Sequence, residues 1–185
     1  METKHNIKRY GELWPDYRIR LGLAILEQLK PWVVVSGGWA WHFMSPQPHP
    51  EYKHAHDHKD IDIFVDPTTV AEVMPILQRD GFQKVWTRYD HLSNPERFRR
   101  YEKIEWLPEG RPIRVTIDFF EARNLKTIEV DGWTLVAPEV LLGYYSNIHS
   151  SDKCWAVKAA YSLLEQGIDP VGHERLIKNP LYEIG

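Results

Sequence analysis

Two stretches decide how this chain is read: Val33-Val-Val-Ser-Gly-Gly-Trp-Ala40 and, further on, Asp60-Ile-Asp-Ile-Phe-Val65. The valines are apolar and β-branched, so residues 32–35 read as a short buried strand. Ser36-Gly37-Gly38 reads as a tight turn, because glycine adopts backbone conformations closed to other residues. Residues 39–44 read as one or two turns of helix. The second stretch alternates. On a strand, Asp60 and Asp62 project to one face, and Ile61, Ile63 and Val65 to the other.

Two carboxylates this close raise one another's pKa unless a cation lies between them. A divalent ion that prefers oxygen ligands, Mg2+ or Mn2+, removes that cost. Taken alone, Asp-x-Asp also describes the solvated side of an edge strand. The glycine turn adds a second element. A strand, a glycine-rich turn and a helix start offer free backbone N–H groups to a phosphate, although ordinary strand-to-helix turns share that outline. The third element is Asp118. Residues 113–121 read as a strand with Ile113, Val115, Ile117 and Phe119 on one face and Asp118 on the opposite one. An aspartate on an otherwise apolar strand needs a partner, either a shared metal or a buried hydrogen bond.

The remaining elements suggest an α+β fold, a mixed sheet flanked by helices with a short helical tail. Pro15-Asp16 opens a helix with Leu21, Ile25 and Leu29 on one stripe, and Pro31 ends it. Thr68 is expected to cap a helix carrying Val70, Val73, Met74 and Leu77, which Pro75 would kink or break. Residues 83–89 and 99–107 read as strands, and short strands follow at 127–130 and 133–136. From Pro138 the chain reads as helical, with Ser151 or Asp152 as a cap and Gly167 as a stop. This divides the chain into a core, 1–137, and a tail, 138–185, packed on it.

Composition narrows the function classes. A chain of 185 residues fits one domain with at most a small appendage. With 43% hydrophobic and 26% charged residues it has the balance of a soluble globular protein. A net charge of −3 gives no global attraction to nucleic acid. Cys154 is the single cysteine, which excludes an intramolecular disulfide and a multi-thiolate zinc site. The start, Met1-Glu-Thr-Lys-His5, has no apolar signal region, and no apolar run reaches membrane-spanning length. A cytoplasmic protein with no membrane contact is expected. The 8 tryptophans are expected in the core or on partly buried surface. Arg97, Arg99 and Arg100 are expected on a solvated face, with phosphate contact as the alternative.

Taken together, these residues resemble the DNA polymerase β-like nucleotidyltransferase superfamily. The resembling pieces are Val33-Val-Val-Ser-Gly-Gly38, Asp60-Ile-Asp-Ile63 and Val115-Thr-Ile-Asp118. Within it the sequence looks most like aminoglycoside and lincosamide nucleotidyltransferases. Gly37-Gly-Trp-Ala40, His58-Lys-Asp60 and Val136-Ala-Pro-Glu-Val-Leu-Leu142 are similar to stretches of that group. The resemblance spans about residues 30–145. The sequence departs from the pattern in a longer segment between Gly38 and Asp60 and in a tail without a clear Lys-Asp pair.

The resemblance implies a nucleotidyltransferase fold and transfer of a nucleoside monophosphate from an NTP, ATP by family habit, to an acceptor hydroxyl. It implies two metal ions, one held by Asp60, Asp62 and Asp118 and the other by Asp60 and Asp62, with Asp118 as general base. Ser36, Gly37 and Gly38 would hold phosphate oxygens, His58 would orient Asp60 or contact phosphate, and Lys158 or Lys153 in the tail would touch the triphosphate or else be solvated helix lysines. The acceptor is open among a small molecule, a protein and RNA. A homodimer or a partner protein would complete its site. Two alternatives stand beside this reading. One is a non-catalytic, antitoxin-like protein of the same fold acting through a partner. The other is a zinc hydrolase built on His54-Ala-His-Asp-His58, which falls one residue short of the His-x-His-x-Asp-His signature of metallo-β-lactamase-fold hydrolases.

Overall fold

The computed structural model describes residues 16–44, 60–87, 89–90 and 97–146. In chain order the elements are α1 (Asp16–Leu29), β1 (Val33–Val35), α2 (Gly37–Met44), β2 (Asp60–Val65), α3 (Val70–Arg79) and β3 (Gln83–Val85), then β4 (Arg97–Trp106), β5 (Pro112–Glu121), β6 (Thr127–Val130), β7 (Trp133–Val136) and α4 (Pro138–Ser146). The seven described strands form one sheet in the order β3-β4-β5-β2-β1-β7-β6. β2 pairs in parallel with β5 and antiparallel with β1, and β1 pairs in parallel with β7. The outer pairs, β3–β4, β4–β5 and β6–β7, are antiparallel. A mixed sheet with helices is the α+β class that the sequence leads one to expect.

β2 and β5 lie at the centre, and their sequences show it. Ile61, Ile63, Val65, Ile117 and Phe119 are buried on one face. α3 covers that face: Val73 and Leu77 enter the same core, and Tyr101 of β4 donates its hydroxyl to Met74 Sδ at 3.5 Å. α1 adds Ile25, Leu26 and Leu29 to that core. It is tied to the end of α3 by Gln28, which donates to Asp80 Oδ2 and accepts from Arg79 Nη2, both at 2.9 Å. Complete burial of a side chain such as Ile63 or Phe119 contributes about 1.5–3 kcal/mol.

α2 is locked from two sides. The Trp39 indole lies on the bare backbone of Gly22 in α1, where an added Cβ would stand 2.2 Å from the ring. Phe43 stacks on Trp133 of β7 with centroids 4.1 Å apart. The opposite sheet face carries an aromatic cluster. Phe64 and Phe120 stack at 5.0 Å, Phe98 joins Phe120 at 5.1 Å, and Tyr144 of α4 lies over Phe64 at 5.9 Å. Among the described residues no helix is long and apolar enough to cross a membrane.

The structure corrects several local expectations. Thr69, not Thr68, stands at the N-cap of α3, and it makes no side-chain cap bond. Thr68 is committed elsewhere: its N–H and hydroxyl both donate to Asp66 Oδ1, at 2.8 and 2.6 Å. Pro75 neither ends nor splits α3; it sits on the exposed side of the helix while Val73 and Leu77 anchor the buried side. β3 stops at Val85, well short of 89, because the chain turns there. Asp90 draws in Lys84 and accepts from the Thr87 N–H and hydroxyl, closing the turn. The tryptophans divide: Trp39 and Trp133 are core, whereas Trp86 is 75% and Trp106 69% exposed. Lys84 Nζ sits 3.6 Å from the Trp86 ring centre, a cation–π contact that suits an exposed indole. Residues 45–59 and those beyond 146, and with them His58, Lys153 and Lys158, lie outside the described residues.

Candidate functional site

The site is built where β1 ends and β2 begins. Val33, Val34 and Val35 pair with Val65, Phe64 and Ile63, which carries the Ser36-Gly37 turn to the level of Asp62. The Ser36 N–H donates to the Asp62 carbonyl at 2.9 Å and fixes that register. Ser36 is itself 5% exposed, and its carbonyl accepts from the Ala40 N–H at 3.2 Å as α2 starts. The turn and the carboxylate strand are therefore one unit.

Glycine at 37 is required twice over. Its φ is +58°, in the left-handed region that favours glycine. A Cβ there would also lie 2.0 Å from Asp62 Oδ2. The Asp62 carboxylate thus rests directly on the turn that opens α2. A phosphate bound at that helix start would meet the Asp62 side chain, and would need a cation between them.

Strand register brings the third aspartate to the same face. β2 and β5 pair Asp60 with Thr116 and Asp62 with Asp118. Paired residues of parallel strands share a face and lie about 4.8 Å apart. Asp118 is 8% exposed, and Thr116 beside it is 6% exposed. All three sequence-expected aspartates, Asp60, Asp62 and Asp118, thus stand on one sheet face, opposite the face covered by α3.

The partner of Asp118 is Arg100. The two are directly opposed across β4 and β5. Arg100 Nε donates to Asp118 Oδ1 and Nη2 to Oδ2, both at 2.7 Å, a bidentate fork. These bonds hold the guanidinium charged far above its ordinary range, and the charges of Asp118, Asp60 and Glu102 reinforce the effect. The neighbouring Arg99 projects to the other face and pairs with buried Glu121. Arg99 and Arg100 therefore do not form the solvated face expected of them; strand alternation sends one to each side of the sheet. Neither strand alone reveals the fork; the β4–β5 register makes Arg100 and Asp118, 18 residues apart, neighbours.

The arrangement fits a cation in part. Asp60 and Asp62 beside the Gly37 turn suit Mg2+ carried by a nucleotide, since that ion is usually held by one or two carboxylates plus phosphate oxygens. Asp118 stands differently, with both oxygens accepting from Arg100. Among the described residues, no group of three or more His, Cys, Asp or Glu side chains is gathered to hold one metal ion. The histidines of the zinc alternative fall in residues 54–58, outside the described residues.

No family model and no curated protein matches the chain. Solved structures do show a similar chain course. An antigenic nucleotidyltransferase-like protein from Paracoccidioides brasiliensis superposes with a TM-score of 0.46 at 13% identity, over 90% of this chain and 88% of that one. The lincosamide antibiotic adenylyltransferase LnuA, solved with lincomycin bound, gives 0.46 at 16% identity, over 82% and 99%. The antibiotic-resistance factor ANT(2'')-Ia gives 0.42 at 13% identity, over 87% and 88%.

Proposed function

We propose that this protein is a metal-dependent nucleotidyltransferase that moves a nucleoside monophosphate from an NTP, ATP first among them, to an acceptor hydroxyl. The observation that supports this most directly is the seat of Asp62: its carboxylate lies on Gly37 at a helix start and directly opposite Asp118. A phosphate-binding turn, a cation-binding pair and a carboxylate on the far side are what an in-line transfer requires.

Asp60 and Asp62 would hold a divalent ion, Mg2+ or Mn2+, that comes with the triphosphate. Bound there, it would neutralise charge on the triphosphate and on the departing pyrophosphate. The N–H groups at the start of α2 hold phosphate oxygens, and Gly37 permits their close approach. Asp118 orients the acceptor. An ionised carboxylate has about four acceptor positions, and Arg100 takes two of them. An acceptor hydroxyl can donate to a remaining one. Its oxygen then attacks the α-phosphorus, the bond from that phosphorus to the β-phosphate bridging oxygen breaks, and pyrophosphate leaves. The hydroxyl proton passes to Asp118 as general base. The acceptor is a hydroxylated small molecule, protein or RNA end, with a second copy of the chain or a partner protein completing its site. His58 and Lys158 belong to this proposal as phosphate contacts.

The test is transfer from α-labelled ATP with Mg2+ or Mn2+ across a panel of small-molecule, protein and RNA acceptors. Labelled acceptor and released pyrophosphate are expected, and both should vanish in Asp62→Asn. Nucleotide binding without release on any acceptor would replace this reading with the non-catalytic, partner-acting one. Stoichiometric zinc on untagged protein would favour the hydrolase.

A further inference from the structure

We infer that Arg100 fills the cation position at Asp118, so that the protein binds one divalent ion with each nucleotide rather than two. This rests on the nucleotide-binding reading above and sharpens it: one mobile ion at Asp60 and Asp62, and one fixed guanidinium at Asp118.

Three observations carry the inference. The fork is bidentate, with both Asp118 oxygens taken at 2.7 Å. It is set by backbone register, since β4 and β5 pair Arg100 with Asp118 directly, and the two need no long-range loop to meet. Asp60 and Asp62 lie on the same sheet face as the fork, with Asp62 paired directly to Asp118, so the guanidinium stands on the side of the carboxylate pair. A second dication brought to Asp118 would meet a positive group that cannot lose its proton and has carboxylates on either side. Arg100 is only partly buried, its side chain 33% exposed against 12% for Asp118, so the guanidinium borders the open side of the sheet where a substrate would lie. Planar and with five donors, it can keep both bonds to Asp118 and still present N–H groups to a phosphate oxygen or an acceptor oxygen. Arg100 is then a positioning residue that sets the charge and orientation of Asp118 without an ion there.

The experiment counts ions. Mn2+ is titrated into full-length protein with a non-hydrolysable ATP analogue. Protein-bound nucleotide and metal are separated by ultrafiltration, and free Mn2+ is read by electron paramagnetic resonance. Wild type should bind one Mn2+ per bound nucleotide, Arg100→Gln two, and Arg100→Lys, which keeps the charge, one. Two ions in wild type, or one in Arg100→Gln, overturns the inference while leaving the nucleotidyltransferase reading intact. No ion with nucleotide in any of the three overturns both. Should Arg100→Gln fail to fold, the wild-type count and Arg100→Lys still decide: two ions in either sinks the idea.

Discussion

Asp62 on β2 and Asp118 on β5 stand directly opposite one another across two parallel strands, and the next strand sets Arg100 opposite Asp118. The row runs acid, acid, base across the middle of the sheet. The glycine turn closes its first end, because the Asp62 carboxylate rests on Gly37. Each member of the row makes a different demand, and the demands can be tested separately.

Gly37→Ala should remove nucleotide and metal binding while leaving the far-ultraviolet circular dichroism unchanged. The new Cβ would fall 2.0 Å from Asp62 Oδ2, so the carboxylate must move. The left-handed φ of +58° adds a backbone cost of about 1–2 kcal/mol, visible as a lower urea midpoint. Unchanged Mn2+-nucleotide affinity in a folded variant would show that the turn does not shape the site.

Asp62→Asn should lower transfer by at least about 100-fold, since even residues that only support a metal ligand cost 10–100-fold when changed. Asp60→Asn should do the same if the two share one ion. The measurement is pyrophosphate release per protein, with the urea midpoint as a fold control. A variant pair in which only one position matters would contradict a shared ion.

Asp118 and Arg100 should be coupled in stability. Removing either partner leaves the other charged and partly buried. The coupling energy from Asp118→Ala, Arg100→Ala and the double variant is expected at about 1–3 kcal/mol, below the 3–5 of a deeply buried pair, because Arg100 is one-third exposed. Urea denaturation of the four proteins gives the cycle. Strict additivity would mean the fork contributes nothing to the fold.

Gly22→Ala tests the core beneath the site. The added methyl would lie 2.2 Å from Cζ2 of Trp39, whose ring is 1% exposed and part of α2. Overpacking of this kind costs about 1–3 kcal/mol. Because α2 begins at Gly37, the same change should also weaken nucleotide binding. A midpoint equal to wild type would show that Trp39 can slide aside.

The turn after β3 should be acid-labile. Hydrogen bonds from Lys84 and then from Thr87 hold the Asp90 carboxyl down to about 2, from an ordinary 3.8. A depressed carboxylate stabilises the folded form above the unfolded value. That contribution declines as pH falls below 3.8 and is gone once it passes through about 2. Trp86, with Lys84 against its ring, should report the change in fluorescence over that window. The difference spectrum against Trp86→Phe isolates its signal, and a flat difference spectrum would refute the assignment.

The strands with a clean alternation were legible in the sequence. Asp60–Val65, Thr127–Val130 and Trp133–Val136 begin and end where the residue pattern puts them, and β5 differs by a single residue, Pro112. Asp60 and Asp62 share a face because that follows from the two-residue period of any strand. Asp118 also falls on the face its phase implies, away from Ile117 and Phe119. Local competition was harder to read. Thr68 looks like a cap until Asp66 claims its hydroxyl, and β3 looks longer until Asp90 gathers Lys84 and Thr87.

By itself, then, the sequence determined which residues could share a face, where the chain needed glycine, and which segments were apolar enough to form the core. These are properties of neighbours along the chain, set by backbone sterics and side-chain alternation. Only the tertiary structure decided which strands lie side by side. That choice put Asp62 opposite Asp118 and Asp118 opposite Arg100. It turned Arg99 and Arg100, which read as a solvated patch, into one ion pair on each sheet face. It did so because these side chains meet only across strands, and cross-strand register is set by turn geometry and by the face that the sheet buries.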